Sequence, residues 1–509
     1  MLRPGMTLCG KQGEMRESRL RRSLWSLPPA IGVLLGCLYS FFSQVNHFAV
    51  TDDYRLVFQA QSLRPFLLEG HAGLEARTGR VIPGLFFKII WFGVRDVSDL
   101  WYVRFVGVLL VGVTAASFLV WCCYKVRPLT RTSATVVSVA GFLVMLLPGV
   151  SATTTWATKT AHLLAAPLGM LAGIIATQSH MTWRRWSVVA LLIFMSVFSY
   201  QHFAMLATLP VAVSLALDSG TPKTAGRFSR LLFVMGMALA ALVSNVLFVR
   251  FVESGVLDRI SDRSLANRFK EVIDVGVKGT HIFVNKSVVL LILSALFVTT
   301  FVAISLRINS GLWRLLLAVL VAASCSIILT FGADGDSSYR MILPSQLTIW
   351  LGLGALTTVA ANSARQATSR VRLLLLPVFL CAALPAAIEA RHVIRNDISI
   401  PNRDDWSRIR CHVRHVSSMN KVDEVVIRLI PIELTGPNAV RSEIGLVAGH
   451  IEWLLRDQWL LALSLTPDAA SLENVPLRVI DSGNQLPAET AGSYVIDLRQ
   501  SCSESRDAT

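Results

Sequence analysis

The sequence carries little charge for its length. Asp, Glu, Lys and Arg make up 16% of its 509 residues, whereas a soluble domain typically has about 25%. Apolar residues account for 53%, and the mean hydropathy is +0.55. Several apolar runs are about 20 residues long, the length that crosses a bilayer. The shortage of charge argues against an ordinary soluble protein and predicts a polytopic helical membrane protein.

Motifs of nucleotide and zinc sites are missing as well. The sequence has no Gly-rich phosphate loop, no Walker motif and no Cys/His cluster with zinc spacing. Acidic residues are fewer than basic ones, which gives a net charge of +15. Much of this basic excess lies in short loops between apolar runs, so the positive-inside rule explains it better than nucleic-acid binding does. We therefore expect no nucleic-acid partner.

Cysteine is scarce, with eight residues in the chain. Five of them lie within or at the ends of apolar runs, where cysteine is typically a small core residue: Cys37, Cys122, Cys123, Cys325 and Cys381. Cys411 and Cys502 lie instead in the polar C-terminal part. These two are candidates for a disulfide if that part is outside the cytoplasm.

The apolar runs predict about eleven spanning helices within residues 28–390, after a basic, cytoplasmic N-terminus at residues 1–27. The first run is expected to be an uncleaved signal anchor, because no small-residue cleavage site follows it. The run at 81–94, VIPGLFFKIIWFGV, is short and contains Lys88, so we expect it to be interfacial or re-entrant. If that segment does not span, the basic loops all lie on the cytoplasmic side of the membrane. Loop 49–100 and the C-terminal part are then expected on the outer side.

Local patterns predict three further features. The run at residues 187–217 contains the polar letters SYQH near its middle and is expected to break there. GVLLG from Gly32 and GMLAG from Gly169 are small-residue patterns that favour close helix packing. In residues 391–509, the segments DEVVIRLIP, PLRVIDS and SYVIDLRQ are candidate strands of a small soluble α/β domain.

The acid pair Asp52 and Asp53 follows the first apolar run directly. The simplest explanation is a solvated loop, or a carboxylate that caps a helix beginning near Tyr54. Adjacent side chains of an extended segment point to opposite sides. One carboxylate would then face a reacting group, while the other orients it, caps the helix or binds a cation. A carboxylate is suited to take a proton from a sugar hydroxyl.

Four cations are expected on the same side as the acid pair: Arg55, Arg80, Lys159 and Arg340. Each has an ordinary explanation in lipid headgroups or loop acids. Gathered around one volume, they would suit a phosphate or pyrophosphate leaving group.

The polar letters SYQH place Gln201 and His202 within an apolar run. Polar groups at membrane depth are costly unless they have partners, and they indicate either function or hydrogen bonds between helices. In the functional alternative, Gln201 and His202 line a sugar pocket.

These features together resemble the Gtr-type serotype-converting O-antigen glucosyltransferases, which belong to the GT-C superfamily. The resemblance rests on TDDYR after the first run, GRVIPG, SYQ within a run and SSYR at a late run, and it covers residues 28–390. It implies a GT-C fold, a polyprenyl-phosphate sugar donor and catalysis on the non-cytoplasmic face. The acceptor stays open.

The resemblance also implies roles for individual residues. Asp52 and Asp53 match the catalytic acid pair. Arg80 and Arg340 match arginines that hold the donor phosphate, with Lys159 and Arg55 as further candidates. Gln201 matches the SYQ glutamine, and with His202 and Tyr54 it forms the expected sugar site. A divalent cation, Mg²⁺ or Mn²⁺, is permitted by the acids and not required.

The sequence thus predicts a hexosyltransferase, with glucose as the expected sugar. The donor would be a polyprenyl-phosphate lipid and the acceptor a surface polysaccharide such as lipopolysaccharide O-antigen. The expected location is a bacterial inner membrane, with the active site and the C-terminal domain in the periplasm. A polysaccharide polymerase or ligase, and a lipid-linked sugar transporter or flippase, are the alternatives.

Overall fold

The computed structural model describes part of the chain: residues 27–42, 48–50, 53–61, 75, 79–125, 131–146, 148–178, 180–217, 224–252, 347–348, 351–352, 354–355, 388, 391–419, 421–429, 452–472, 474–480, 493–498 and 502. The predicted spans between residues 287 and 389 lie largely outside these ranges.

The N-terminal half is helical. Ten α-helices are described there, with bounds α1 Leu27–Phe42, α2 Asp53–Gln61, α3 Val81–Trp91, α4 Leu100–Lys125, α5 Arg131–Met145, α6 Pro148–Thr155, α7 Ala165–Ala176, α8 Trp183–Ser199, α9 Thr208–Leu217 and α10 Thr224–Val252. Short 3₁₀ turns at Val97–Asp99, Ala157–Lys159, His162–Leu164 and Gln201–Ala207 connect some of them.

Two of the described helical segments are long and apolar enough to cross a membrane, Val97–Lys125 and Phe228–Val249. Shorter apolar helices lie at Leu27–Phe42, Val81–Trp91, His162–Ala176 and Gln201–Leu217. The eleven-residue helix α3 is about 16 Å long at 1.5 Å per residue, which is too short to span about 30 Å of hydrocarbon. This length fits the prediction that residues 81–94 do not span.

Small residues let the helices pack closely, as the sequence predicts. A Cβ on Gly32 would collide with the Ser138 carbonyl of α5, and one on Gly36 would lie 2.7 Å from Cβ of Met145. A Cβ on Gly169 would lie 2.8 Å from the Phe203 carbonyl oxygen, and one on Gly173 would collide with the Ala207 carbonyl. The second pair of glycines therefore lets α7 approach the 3₁₀ turn at Gln201–Ala207.

The helix is interrupted at the SYQH sequence, as predicted. Helix α8 ends at Ser199, and Tyr200 is extended, with φ −165° and ψ 110°. The chain continues as the 3₁₀ turn Gln201–Ala207 and then as α9.

The C-terminal part is a small α/β unit. A π-helical turn at Val393–Ser399 leads into α11, Ile400–Ser417, and α12 spans Glu452–Ser464. The strands β1 Glu424–Arg428, β2 Leu477–Ile480 and β3 Ser493–Asp497 form a parallel sheet in the order β2-β1-β3. Val425 of the central strand pairs with Leu477 and Tyr494. All three predicted strands are present.

One apolar core joins this unit to the N-terminal half. It contains Tyr54, Phe87 and Leu100 together with Trp406 and Ile496, all nearly or fully buried. The segments around Asp53 and the α/β unit are therefore packed as one body. Cys411 and Cys502 form a disulfide with their Cα atoms 6.2 Å apart.

Candidate functional site

Asp53 is the first residue of α2, and its side chain is completely buried. The amide and the hydroxyl of Thr158 donate to its Oδ1, at 2.8 and 2.7 Å. The Val50 amide donates to Oδ2 at 3.1 Å, and Nη2 of Arg104 lies 3.5 Å from the same oxygen. Burial raises the pKa of Asp53, while Arg104 and the hydrogen bonds oppose that rise. Both carboxylate oxygens are thus used inside the protein.

Arg104 completes this arrangement from α4. Its side chain is fully buried. Its Nε donates to the Thr155 carbonyl at 2.8 Å and its Nη2 to the Phe48 carbonyl at 2.6 Å. The guanidinium also lies 3.9 Å from the centre of the Phe48 ring. We call Asp53, Arg104 and Thr158 the anchor, because they tie three separate segments together.

The anchor changes the expected role of Asp53. A general base must lie within hydrogen-bond reach of the substrate proton. The Asp53 carboxylate is enclosed and bonded to Val50, Thr158 and Arg104, which lie outside α2, so its geometry fits a role in holding these segments together and not a base that contacts substrate. Asp52 lies outside the described residues, as does Arg340, and their predicted roles stay predictions.

Tyr54 and Arg55, the two residues after Asp53, both contact the α/β unit. The Tyr54 side chain is fully buried, its ring centre lies 5.6 Å from that of Trp406, and its hydroxyl lies 3.5 Å from the Asn402 carbonyl. Nε of Arg55 lies 3.1 Å from Oδ2 of Asp457 on α12. Both residues hold α2 against the α/β unit, Tyr54 through Trp406 and Arg55 through Asp457. The hydrophobic periodicity of the sequence does not indicate such contacts between residues that are distant in the chain.

A second group, the polar cluster, consists of Glu75, Arg80, His162, Tyr200 and His202. Oε2 of Glu75 lies 3.1 Å from Nη1 of Arg80 and 2.9 Å from Nε2 of His162. Glu75, His162 and His202 are each 3% exposed or less. Since an ionised carboxylate only accepts hydrogen bonds, Nε2 of His162 is the protonated nitrogen when Glu75 is charged.

Tyr200 sits at the centre of the polar cluster because the helix breaks there. Its ring centre lies 5.4 Å from that of His162 and 5.1 Å from that of His202. The Arg80 guanidinium lies 5.3 Å from the same ring centre. Nδ1 of His162 and Nδ1 of His202 are buried and have no hydrogen-bond partner among the described residues. Buried polar atoms of this kind call for a ligand, a water or a functional role.

Gln201 and the chain before Arg80 are held by α10. Nε2 of Gln201 donates to Oδ1 of Asn245 at 3.0 Å, and Nδ2 of Asn245 donates to the Gly79 carbonyl at 2.6 Å. Gly79 has φ +81°, and a Cβ there would lie 2.7 Å from Oδ1 of Asn245. Only glycine suits this position. Gln201 thus makes a hydrogen bond between helical segments, which was the alternative to a sugar contact.

Lys159 lies between the anchor and the polar cluster. Its neighbour Thr158 binds Asp53, and Lys159 is close enough to His162 for electrostatic interaction. Its Nζ lies 5.0 Å from the centre of the Trp156 ring. The structure therefore brings Arg80, Lys159, Gln201 and His202 into one region, next to the anchor.

Sequence reasoning missed Glu75, His162, Arg104 and Asn245. Arg104 and Asn245 are polar residues within apolar helices, and this property alone marks them as candidates. Glu75 gives no such signal, because its partners are distant in the chain. Within the described ranges, no group of three or more His, Cys, Asp or Glu could hold a metal ion. The described residues therefore offer no set of side chains that would bind the expected Mg²⁺ or Mn²⁺.

Comparison with known proteins leaves the family open. No protein-family model matches the chain, and no curated protein matches it significantly.

Proposed function

We propose that this chain is a membrane glycosyltransferase of the GT-C type. It would transfer a hexose, with glucose as the leading candidate, from a polyprenyl-phosphate lipid to a surface polysaccharide such as O-antigen. The observation that carries the proposal is the polar cluster. It joins Arg80, His162 and His202 from separate apolar segments, next to Lys159 and the anchor.

The charges in this region suit a phosphate. Among the described groups there, Arg80 and Lys159 carry positive charge and Glu75 carries negative charge. Glu75 holds the Arg80 guanidinium in place. Because Nε2 of His162 carries the proton that Glu75 accepts, Nδ1 of His162 is an acceptor and would suit a sugar hydroxyl and not the phosphate. Preorganised cations stabilise the charge that develops on a departing phosphate oxygen. The apolar helices around them suit an isoprenoid tail.

Asp52 is the proposed base. The acceptor hydroxyl oxygen would attack the anomeric carbon while the bond from that carbon to the phosphate oxygen breaks. The phosphate keeps the electron pair, and Asp52 takes the hydroxyl proton. The anchor would fix the neighbouring backbone, so Asp53 acts as a positioning residue. About eleven spans, a bacterial inner membrane and a periplasmic site complete the proposal.

The test compares surface polysaccharide from cells with wild-type protein, Asp52→Asn, Asp53→Asn, Arg80→Gln and a gene deletion, by mass spectrometry and sugar composition. We expect the deletion to remove one hexose per repeat, and Asp52→Asn and Arg80→Gln to reproduce that loss at normal protein level. Asp53→Asn should lower the amount of folded protein. If the deletion changes chain length instead and Asp52→Asn behaves as wild type, a polymerase or ligase replaces the proposal.

A transporter or flippase is the second candidate, because the helix is interrupted within an apolar segment at Tyr200. Transporters place binding sites at discontinuous helices. Purified protein in liposomes separates the two functions. Movement of lipid-linked sugar across the bilayer without transfer to an acceptor would favour the transporter.

A further inference from the structure

A groove of about 510 Å³ runs along the outer face of α11. It is lined by Ser407, Arg410, Cys411, Arg414, His415 and Ser418. These positions follow helical spacing, and the opposite face of α11 buries Trp406, Ile409 and Val413 in the shared core. Pockets that bind small ligands typically have volumes of about 300–1,000 Å³. The groove is therefore large enough for a short ligand or a segment of a polymer.

The groove is basic. Among the described residues that line it, two are arginines, one is a histidine and none is acidic. Arg414 is exposed and has no carboxylate partner among the described residues. Arg410 lies 3.4 Å from Asp96, in a pair whose side chains are both 29% exposed. The pair is partly exposed, so solvent screens it in part and an anionic ligand can compete for the guanidinium.

The chemistry of α11 favours a water-soluble anion over a bilayer. A helix that lies in a membrane interface exposes large apolar side chains. None of the exposed large apolar residues of the described chain belongs to α11. The groove offers guanidinium groups, an imidazole and hydroxyls, and the ring centre of His415 lies 5.7 Å from that of Tyr494. Arginine forks bind carboxylates and phosphates with two hydrogen bonds.

We propose that the groove of α11 binds an anionic glycan, a sugar chain with carboxylate or phosphate groups. The identification of this glycan as the acceptor rests on the proposed function. The binding itself does not, because none of the described residues that line the groove belongs to the anchor or the polar cluster. Arg410 and Asp96 connect the groove to the start of the Val97–Lys125 segment.

The experiment uses the full chain purified in detergent and measures binding by calorimetry. The probes are oligogalacturonate, a neutral malto-oligosaccharide of equal length, and glycerol phosphate. The test variant is Arg414→Gln with His415→Gln. The control is Arg456→Gln, an exposed arginine of α12 that is paired with Glu452 and lies outside the groove. Thermal unfolding confirms that each variant is folded.

We expect oligogalacturonate to bind the wild type and the control equally, and the double variant about tenfold or more weakly, because charge-assisted hydrogen bonds are lost. The neutral sugar should not bind, and salt should weaken the anionic one. Equal binding of the neutral sugar, unchanged binding by the double variant, or saturable binding of glycerol phosphate alone would overturn the proposal. Glycan binding without hexose transfer would reject the proposed function and leave the groove standing.

Discussion

At the scale of single residues, Asp53 and Arg104 show what burial does to an ion pair. Removing two charges from water is expensive, and here the backbone of Phe48, Thr155 and Thr158 supplies hydrogen bonds that offset part of the cost. Nη1 of Arg104 is buried without a hydrogen-bond partner among the described residues. The sequence predicts an important acid at this position. It does not predict that both carboxylate oxygens of Asp53 accept hydrogen bonds from other protein groups. That property depends on contacts more than 50 residues apart in the chain.

Removing Arg104 should destabilise the protein strongly. Arg104→Met leaves the Asp53 carboxylate buried without its cation, and breaking a buried pair in this way costs about 3–5 kcal/mol. We expect a large fall in the thermal unfolding temperature of the detergent-purified protein. Arg55→Gln is the matched control, because its pair with Asp457 is exposed and worth about 0–1 kcal/mol. Equal effects of the two substitutions would contradict a stabilising anchor.

His412 should make the α/β unit sensitive to acid. Burial lowers the pKa of His412 to about 4, with further lowering by His415 and Arg408. In the unfolded chain the pKa is about 6.5, so the unfolded state takes up the proton first as pH falls. The stabilising contribution is full above pH 6.5 and is lost between about 6.5 and 4. Unfolding temperatures at pH 7.5 and pH 5 should differ less in His412→Gln than in wild type, and an unchanged difference would reject this role.

At the scale of elements, the decisive feature is the break between α8 and α9. The extended Tyr200 and the 3₁₀ turn after it carry the polar cluster, and α7 supports the turn through its glycines. The sequence predicts the break from its polar letters and the close packing from its glycine spacing. Local patterns suffice for both. The pairing of Glu75 with His162, 87 residues away, follows from no local pattern.

A larger residue at Gly173 should displace the 3₁₀ turn. Its Cβ would collide with the Ala207 carbonyl, so Gly173→Val should lower both stability and activity. The matched control is Gly236→Ala on α10, where an added Cβ meets nothing within 4 Å. We expect the control to be neutral or slightly stabilising, since alanine favours helix. Thermal unfolding and the polysaccharide assay together measure the effect. If the Gly173→Val variant has the unfolding temperature and activity of the wild type, the tight contact is refuted.

At the scale of the whole molecule, the α/β unit and the segments around Asp53 share one core. The sequence predicts the strands of this unit and the candidate pair Cys411 and Cys502 from composition and alternation. It does not predict that Trp406 packs on Tyr54, because no periodicity records which surfaces meet. The predicted boundary near residue 390 therefore marks a change from apolar to polar composition, whereas the described residues on its two sides share one core.

The disulfide between Cys411 and Cys502 should stabilise this unit. It links residues separated by 91 positions, and chain-entropy arguments give about 4–5 kcal/mol for a loop of that size. Reductant should lower the unfolding temperature of the wild type. The double variant Cys411→Ser, Cys502→Ser should start lower and show no response. An equal response of both proteins would exclude this disulfide as the source.

The shared core has a consequence for the order of assembly. Tyr54 near the beginning of the chain and Leu498 near its end belong to the same core. At a synthesis rate of about 5–20 residues per second, the second emerges roughly 20–90 s after the first. Helix α2 is thus made long before Trp406 and α12, on which Tyr54 and Arg55 pack. A product that stops before residue 400 lacks Trp406 and Asp457, so Tyr54 and Arg55 of α2 have no surface to pack on, although Val50, Arg104 and Thr158 around Asp53 are already present.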